Sequence, residues 1–106
     1  MAKLSEEAVA EQLGHQAGWK REDSKWIAKK YRFGQFLDGI AFVQEVARIA
    51  EKELDHHPMI AIDYKVVTLR LTTWHAGGLT ELDFTAAARF DATFHAMGAA
   101  AEKKDA

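Results

Sequence analysis

FLDGIAFVQEVARIAEKEL, residues 36–54, and VVTLRLTTW, residues 66–74, carry different hydrophobic periods, and the change between them decides the fold class. In the first stretch Phe36, Ile40, Val43, Ala47, Ala50 and Leu54 recur at alternating steps of four and three, which lines one face of an α-helix. Beside this stripe stands another, Phe42, Val46 and Ile49. A helix needs one apolar face to cover a sheet. The second stripe therefore reads either as small alanines widening a single face or as a surface buried against another subunit. In the second stretch Val67, Leu69, Leu71 and Thr73 alternate with Thr68, Arg70, Thr72 and Trp74, the two-residue period of a half-buried strand running to Trp74.

Working outward, Asp63 to Lys65 reads as a turn separating that strand from a shorter one at Ile60 to Ile62. Upstream, Ile27, Tyr31 and Phe33 share one parity and Lys30 and Arg32 the other. Glu22-Asp23-Ser24 supplies the polar turn that folds this strand back on Trp19-Lys20-Arg21. At the start, Ser5 is placed to cap a short helix with Glu6 and Glu7 in its first turn, Leu4 and Val9 as a hydrophobic staple and Gly14 as its stop. Thr80, followed three residues later by Asp83, forms a capping box with Asp in place of Glu and opens a last helix through Phe84, Ala87, Phe90, Phe94 and Met97. The order α-β-β-α-β-β-α with short turns between paired strands predicts an α+β fold, a four-stranded antiparallel sheet with three helices on one face. With 106 residues, a single domain over 1–106 is expected, frayed over 99–106.

Composition narrows the function. The formal charge is -2 with interspersed signs, so no basic stripe suits a phosphate backbone and direct nucleic-acid binding is not expected. The chain has no cysteine, which excludes disulfides, thiolate zinc sites and thiol catalysis, and fits a reducing compartment. The opening MAKLSEEAVAEQL lacks an apolar core behind a basic start, and no run of about 18 apolar residues occurs after it, so cytoplasmic location without membrane insertion is the expectation.

Two adjacent histidines and a proline after the long helix are the most unusual chemical feature. Pro58 forces His57 out of helical geometry, so the pair sits on a loop at the helix end, where imidazoles can face a cleft. Histidine exchanges protons near neutrality, and a well-placed acid/base group is worth about 10²–10⁴ in rate. Asp55 is placed to orient a ring or sustain an imidazolium. A lone histidine at a helix end more often just satisfies the last carbonyls and the dipole. Metal binding through His56, His57 and His75 lacks a converging spacing such as HxxxH, and the serines, Ser5 and Ser24, are a cap and a turn. Gly77-Gly78 is no phosphate loop.

The run Glu53-Leu54-Asp55-His56-His57-Pro58, then Tyr64, then Trp74-His75-Ala76-Gly77-Gly78-Leu79-Thr80-Glu81-Leu82-Asp83 resembles the signature of the pterin-4a-carbinolamine dehydratases. Trp19, Phe33, Phe36 and the helix from Phe42 to Glu51 are similar to the family too. The resemblance implies a metal-free hydro-lyase that needs no cofactor, converts 4a-hydroxytetrahydrobiopterin to quinonoid dihydrobiopterin and water, and serves tetrahydrobiopterin recycling. It also implies a homo-oligomer, a dimer or a tetramer of paired dimers, and a further role of some members as dimerisation cofactor of a homeodomain transcription factor, or as assembly helper. On this likeness His56, His57 and His75 are the catalytic candidates. Asp55, His56, His57, Pro58, Thr73, Trp74, His75, Ala76 and Asp83 are the substrate-binding candidates. The chain departs from the family at Trp74, where most members carry a third histidine, and His75 is the next residue. Neighbours on a regular strand face opposite ways, so His75 replaces that histidine only if the strand ends there.

Overall fold

Ser5 starts the first helix, α1 (Glu6–Gly14), by accepting the Ala8 N–H at 3.1 Å, and Val9 is buried beneath it. Gly14 ends α1, yet the left-handed turn comes later, at Gly18 (φ 86°). That backbone conformation is what favours glycine there; a Cβ would lie 2.8 Å from the Lys29 Cε, the movable end of a lysine side chain. The computed structural model describes residues 2–105, with side chains for 2–98; the frayed end expected over 99–106 lies outside the described side chains.

Asp23 Oδ1 accepts the N–H groups of Lys25 (2.7 Å) and Trp26 (3.0 Å), an Asx turn that folds β1 (Lys20–Arg21) onto β2 (Ile27–Arg32). The second hairpin joins β3 (Met59–Asp63) to β4 (Val66–Leu71) through Tyr64, itself left-handed at φ 53°. The four strands pair antiparallel in the order β1-β2-β4-β3, with Ile27 opposite Leu71 and Tyr31 opposite Val67. Ile27, Tyr31, Val67, Leu69 and Leu71 are buried on the helix side, while Lys30 and Arg32 face out. The expected α+β architecture, α-β-β-α-β-β-α, is the one observed.

The helix α2 (Phe36–Ile49) decides between the two readings of its faces. Gly39, Phe42, Val46 and Ile49 are its buried residues, so the second stripe, Phe42, Val46 and Ile49, is the one on the core. Phe36 and Ala47 of the more extended stripe are exposed, and Ile40 and Val43 are half-buried. Two features turn the helix this way: a Cβ at Gly39 would meet Phe33 and Val67 at 3.3 Å, and Phe42 packs on Tyr31 with ring centroids 4.8 Å apart. Bulk outweighs repeat number, since each fully buried Phe or Val contributes about 1.5–3 kcal/mol and an alanine far less.

The last helix, α3 (Glu81–Asp105), seals the core with Phe84, Ala86, Ala87 and Phe90. Near its middle, Asp91 accepts hydrogen bonds from Trp19 Nε1 (3.2 Å), Lys29 Nζ (2.9 Å) and the Tyr31 hydroxyl (2.5 Å). Burial, then that bond and the carboxylate's charge, pushes the Tyr31 phenol well above its ordinary value, so it keeps its proton. At the sheet edge Ile60 and Ile62 share the helix-side parity of Leu69 and Val67, but both are exposed, as are Met59, Tyr64, Phe36 and Leu37. Among the described residues no helix is long and apolar enough to cross a membrane.

Candidate active site

The two histidines are delivered by an unusual helix end. After Ile49 the chain widens into a π-helical turn, Ala50–Leu54, and stops at Asp55 in the left-handed region (φ 47°). The His56 N–H closes back on the Ala50 carbonyl at 3.2 Å. Pro58 lacks an amide hydrogen and restricts its predecessor, so the helix cannot continue. A π turn takes up one residue more than an α turn and so rotates the residues beyond it, which is why such turns recur at functional sites.

The adjacent rings consequently part. His56 is buried, and its Nε2 lies 2.7 Å from Asp83 Oδ1. Asp83 is fully buried, and its Oδ2 accepts the Thr73 hydroxyl at 2.8 Å and the Thr80 N–H at 2.9 Å. Since the Thr73 hydrogen is committed to Asp83, the 2.9 Å contact between the two threonine oxygens is a donation from Thr80 to Thr73. Every partner of Asp83 is thus a donor, the arrangement that suits a carboxylate. His56 presents Nε2–H to it, leaving Nδ1 for proton exchange. Nδ1 has no hydrogen bond among the described residues. His57 turns outward, its side chain 56% exposed, with Nε2 2.7 Å from Glu51 Oε1. Asp55, exposed at the left-handed turn, partners neither ring.

The other wall is the end of β4. The strand pairing stops at Leu71, three residues short of the expected Trp74, and a lone bridge joins Thr73 to Gly78. Between them Trp74–Ala76 forms a 3₁₀ turn closed by Gly77 at φ 75°. The opposite-face rule of a strand therefore does not govern Trp74 and His75, both exposed on this turn, nor half-buried Ala76. Trp74 is 73% exposed and rests edge-on against Trp26, ring centroids 5.2 Å apart, while the Arg70 guanidinium sits 4.8 Å from the Trp26 ring. A hollow of about 100 Å³ opens here, lined by Trp26, Thr72, Thr73, Trp74 and Gly78. Thr73 belongs to both features, one side on the hollow and its hydroxyl on Asp83. Pro58 is half-buried beyond His57.

Three participants escaped the sequence reading. Thr80 was legible as a cap but not as the donor that orders Thr73. Glu51 lies six residues before His57, a separation that no regular helix turns into a contact and that here spans the π turn and the left-handed Asp55. Trp26 carried the signal of a large aromatic on the open parity beside buried Ile27.

A family model described as pterin 4 alpha carbinolamine dehydratase matches residues 2–93. The chain belongs to this family. A protein of Chloroflexus aggregans, provisionally named a pterin-4-alpha-carbinolamine dehydratase, is 45% identical over 91 residues, which are 86% of this chain and 96% of the relative. The crystal structure of a transcriptional coactivator/pterin dehydratase from Brucella melitensis superposes with a TM-score of 0.80 at 33% identity, covering 86% of this chain and 97% of that one. A pterin dehydratase-like protein identified as a RuBisCO assembly factor in the alpha-carboxysome matches with a TM-score of 0.64 at 27% identity, covering 76% of this chain and 93% of its own. Proteins similar to this chain thus carry both catalytic and non-catalytic descriptions. The residues that distinguish them must be sought in the site.

Proposed function

We propose that the chain is an active 4a-hydroxytetrahydrobiopterin dehydratase that works in tetrahydrobiopterin recycling, with His56 as its acid/base group. The observation that carries this is the buried 2.7 Å contact between His56 Nε2 and Asp83 Oδ1, with both carboxylate oxygens held by donors. A structural carboxylate needs no imidazole. A catalytic imidazole does need a fixed ring, a defined tautomer and a charge nearby to sustain its protonated form. In the proposed reaction the imidazolium gives the Nδ1 proton to the 4a hydroxyl as the N5 lone pair expels it, and water leaves. The neutral ring then takes the proton from N5, which yields the quinonoid dihydropterin and restores the imidazolium. No redox change occurs, so His56, positioned by Asp83, suffices without a metal or cofactor. His57, with Glu51, serves as a secondary acid or binding group, Trp74 offers a flat wall, and Asp55, Pro58, Thr73, His75 and Ala76 frame the opening. The uncovered apolar residues at the β3 edge and the start of α2 support a homo-oligomer, a dimer or tetramer, and we place the enzyme in the cytoplasm. Turnover of freshly generated carbinolamine by His56→Ala should fall by about 10²–10⁴; a rate near that of the parent enzyme ends the assignment.

A second reading, a non-enzymatic assembly or coactivator protein of the same fold, draws on Trp74 in the third-histidine position and on that same apolar edge. Such a protein would leave its tryptophan fluorescence unquenched by dihydrobiopterin and would not lose function with His56→Ala.

A further inference from the structure

The carboxylate that holds His56 is itself held by a row of hydrogen bonds with a single direction. A lone bridge pairs Thr73 with Gly78, and the turn between them brings Thr80 back to Thr73, so that two hydroxyls seven residues apart meet in the interior, both fully buried. The Leu82 N–H donates to Thr80 Oγ1 at 3.2 Å, Thr80 donates to Thr73 Oγ1 at 2.9 Å, and Thr73 donates to Asp83 Oδ2 at 2.8 Å. An amide N–H only donates and an ionised carboxylate only accepts, so both ends of the row fix the same direction. Hydrogen bonds in such a row polarise one another, and the last of them falls on the charge.

Helix capping accounts for part of this. The Thr80 N–H on Asp83 Oδ2 belongs to the capping box of α3, whose first turn favours an anion. Capping does not account for Thr73, which lies outside the helix; a valine would fill that space without burying a hydroxyl. Run backwards, the row needs a proton on Asp83 and leaves the Thr80 hydrogen without an acceptor among the described residues. The row therefore favours an ionised Asp83, and it leaves Oδ1 as the oxygen that faces His56 Nε2.

We propose that Thr73 and Thr80 are positioning residues for the reaction at His56: through Asp83 they keep the carboxylate charged and turned toward the ring, without touching the reacting atoms. The inference rests on the dehydratase reading and deepens it. Both hydroxyl hydrogens are committed inside the protein, so neither threonine has one to offer a ligand. Their loss consequently slows the chemical step and leaves the affinity for the flat ring in place.

The test is steady-state turnover of freshly generated carbinolamine, measured across pH, by Thr73→Val, Thr73→Ser and Thr80→Ala. Thr73→Val keeps the shape and removes one donor from a charged acceptor, so kcat should fall about tenfold or more while KM stays within about twofold. The pH dependence of kcat should also move upward, because a carboxylate short of a donor holds the proton it shares with His56 more tightly. Thr73→Ser returns the hydroxyl and should restore both kcat and the profile. Thr80→Ala keeps the amide on Asp83 and removes only the donor behind Thr73, so kcat should fall less, about two- to fivefold, with the same sign. That variant also asks the question should the valine variant not fold. An unchanged kcat and profile, a raised KM with kcat held, or a serine variant no better than the valine one overturns the positioning role, while turnover by the parent leaves the dehydratase reading standing. A parent that does not turn over carbinolamine removes both.

Discussion

Two aspartates on α3, Asp83 and Asp91, are each satisfied by several donors, yet one belongs to a site and the other to the frame. They stand eight residues apart, about 12 Å along the helix axis. Asp91 receives an indole N–H, an ammonium and a phenol, none of which changes protonation near neutrality. Its cluster ties the α1–β1 connection, β2 and α3 into one block. Asp83 receives a hydroxyl and an amide on one oxygen and an imidazole on the other. A buried carboxylate becomes functional through the identity of one partner: where the donors are fixed the charge is structural, and where one can lose its proton the charge becomes a control on that proton.

The largest expected effect comes from breaking the control without changing the shape. In Asp83→Asn the amide oxygen stays with Thr73 and Thr80, and the NH₂ group faces His56 Nε2. Nε2 must then accept, the ring proton moves to Nδ1, and the neutral imidazole offers no base to the substrate. Comparable tautomer reversals elsewhere cost about 10⁴ in kcat. We expect at least about 10² here, measured as carbinolamine turnover, and a rate within a few-fold of the parent enzyme overturns the role given to Asp83.

Asp91→Asn should produce the opposite split. The amide meets three donors, and Lys29 loses its counter-ion where its side chain is only 16% exposed. Removing one partner of a sheltered pair costs several kcal/mol at full burial; the partial exposure here reduces that to about 2–3 kcal/mol. Urea denaturation should show the loss, while turnover per folded molecule stays unchanged. A parallel loss of activity would mean that the two clusters are coupled and the division between them is wrong.

How much of this contrast was readable beforehand depends on whether the signal was periodic. Helix-period and strand-period stretches placed α2, α3, β2 and β4, cap and turn residues placed α1, β1 and β3, and Thr80 with Asp83 announced a capping box that is present. The orientation of α2 was not legible, because counting apolar positions ignores that Phe42 fills more space than Ala47 and that Gly39 admits a close approach. The parting of His56 and His57 was hidden as well, since a π turn leaves no periodic trace in the sequence. Trp74 was extended along β4 because alternation continues through it, whereas Gly77 and Gly78 draw the chain into a 3₁₀ turn first.

The smallest expected effect sharpens the structural side of the comparison. Tyr31 donates to Asp91 from a buried position, and burial together with that carboxylate raises its pKa far above the ordinary value. In the unfolded chain the phenol ionises near its usual value of about 10. A group whose pKa is raised on folding contributes its stability below the unfolded value and loses it as pH climbs beyond, because only the unfolded state then releases the proton. Above about pH 10 this contributes a decline of about 1.4 kcal/mol per pH unit. Tyr31→Phe deletes that titration along with one charge-assisted hydrogen bond, so at neutral pH the variant should be about 1.5–3 kcal/mol less stable. The deficit should shrink between about pH 9 and about pH 11 when urea midpoints are compared. A gap that stays constant across that window would mean that the phenol ionises alike in both states, and Asp91 would then not be the closed structural counterpart of Asp83.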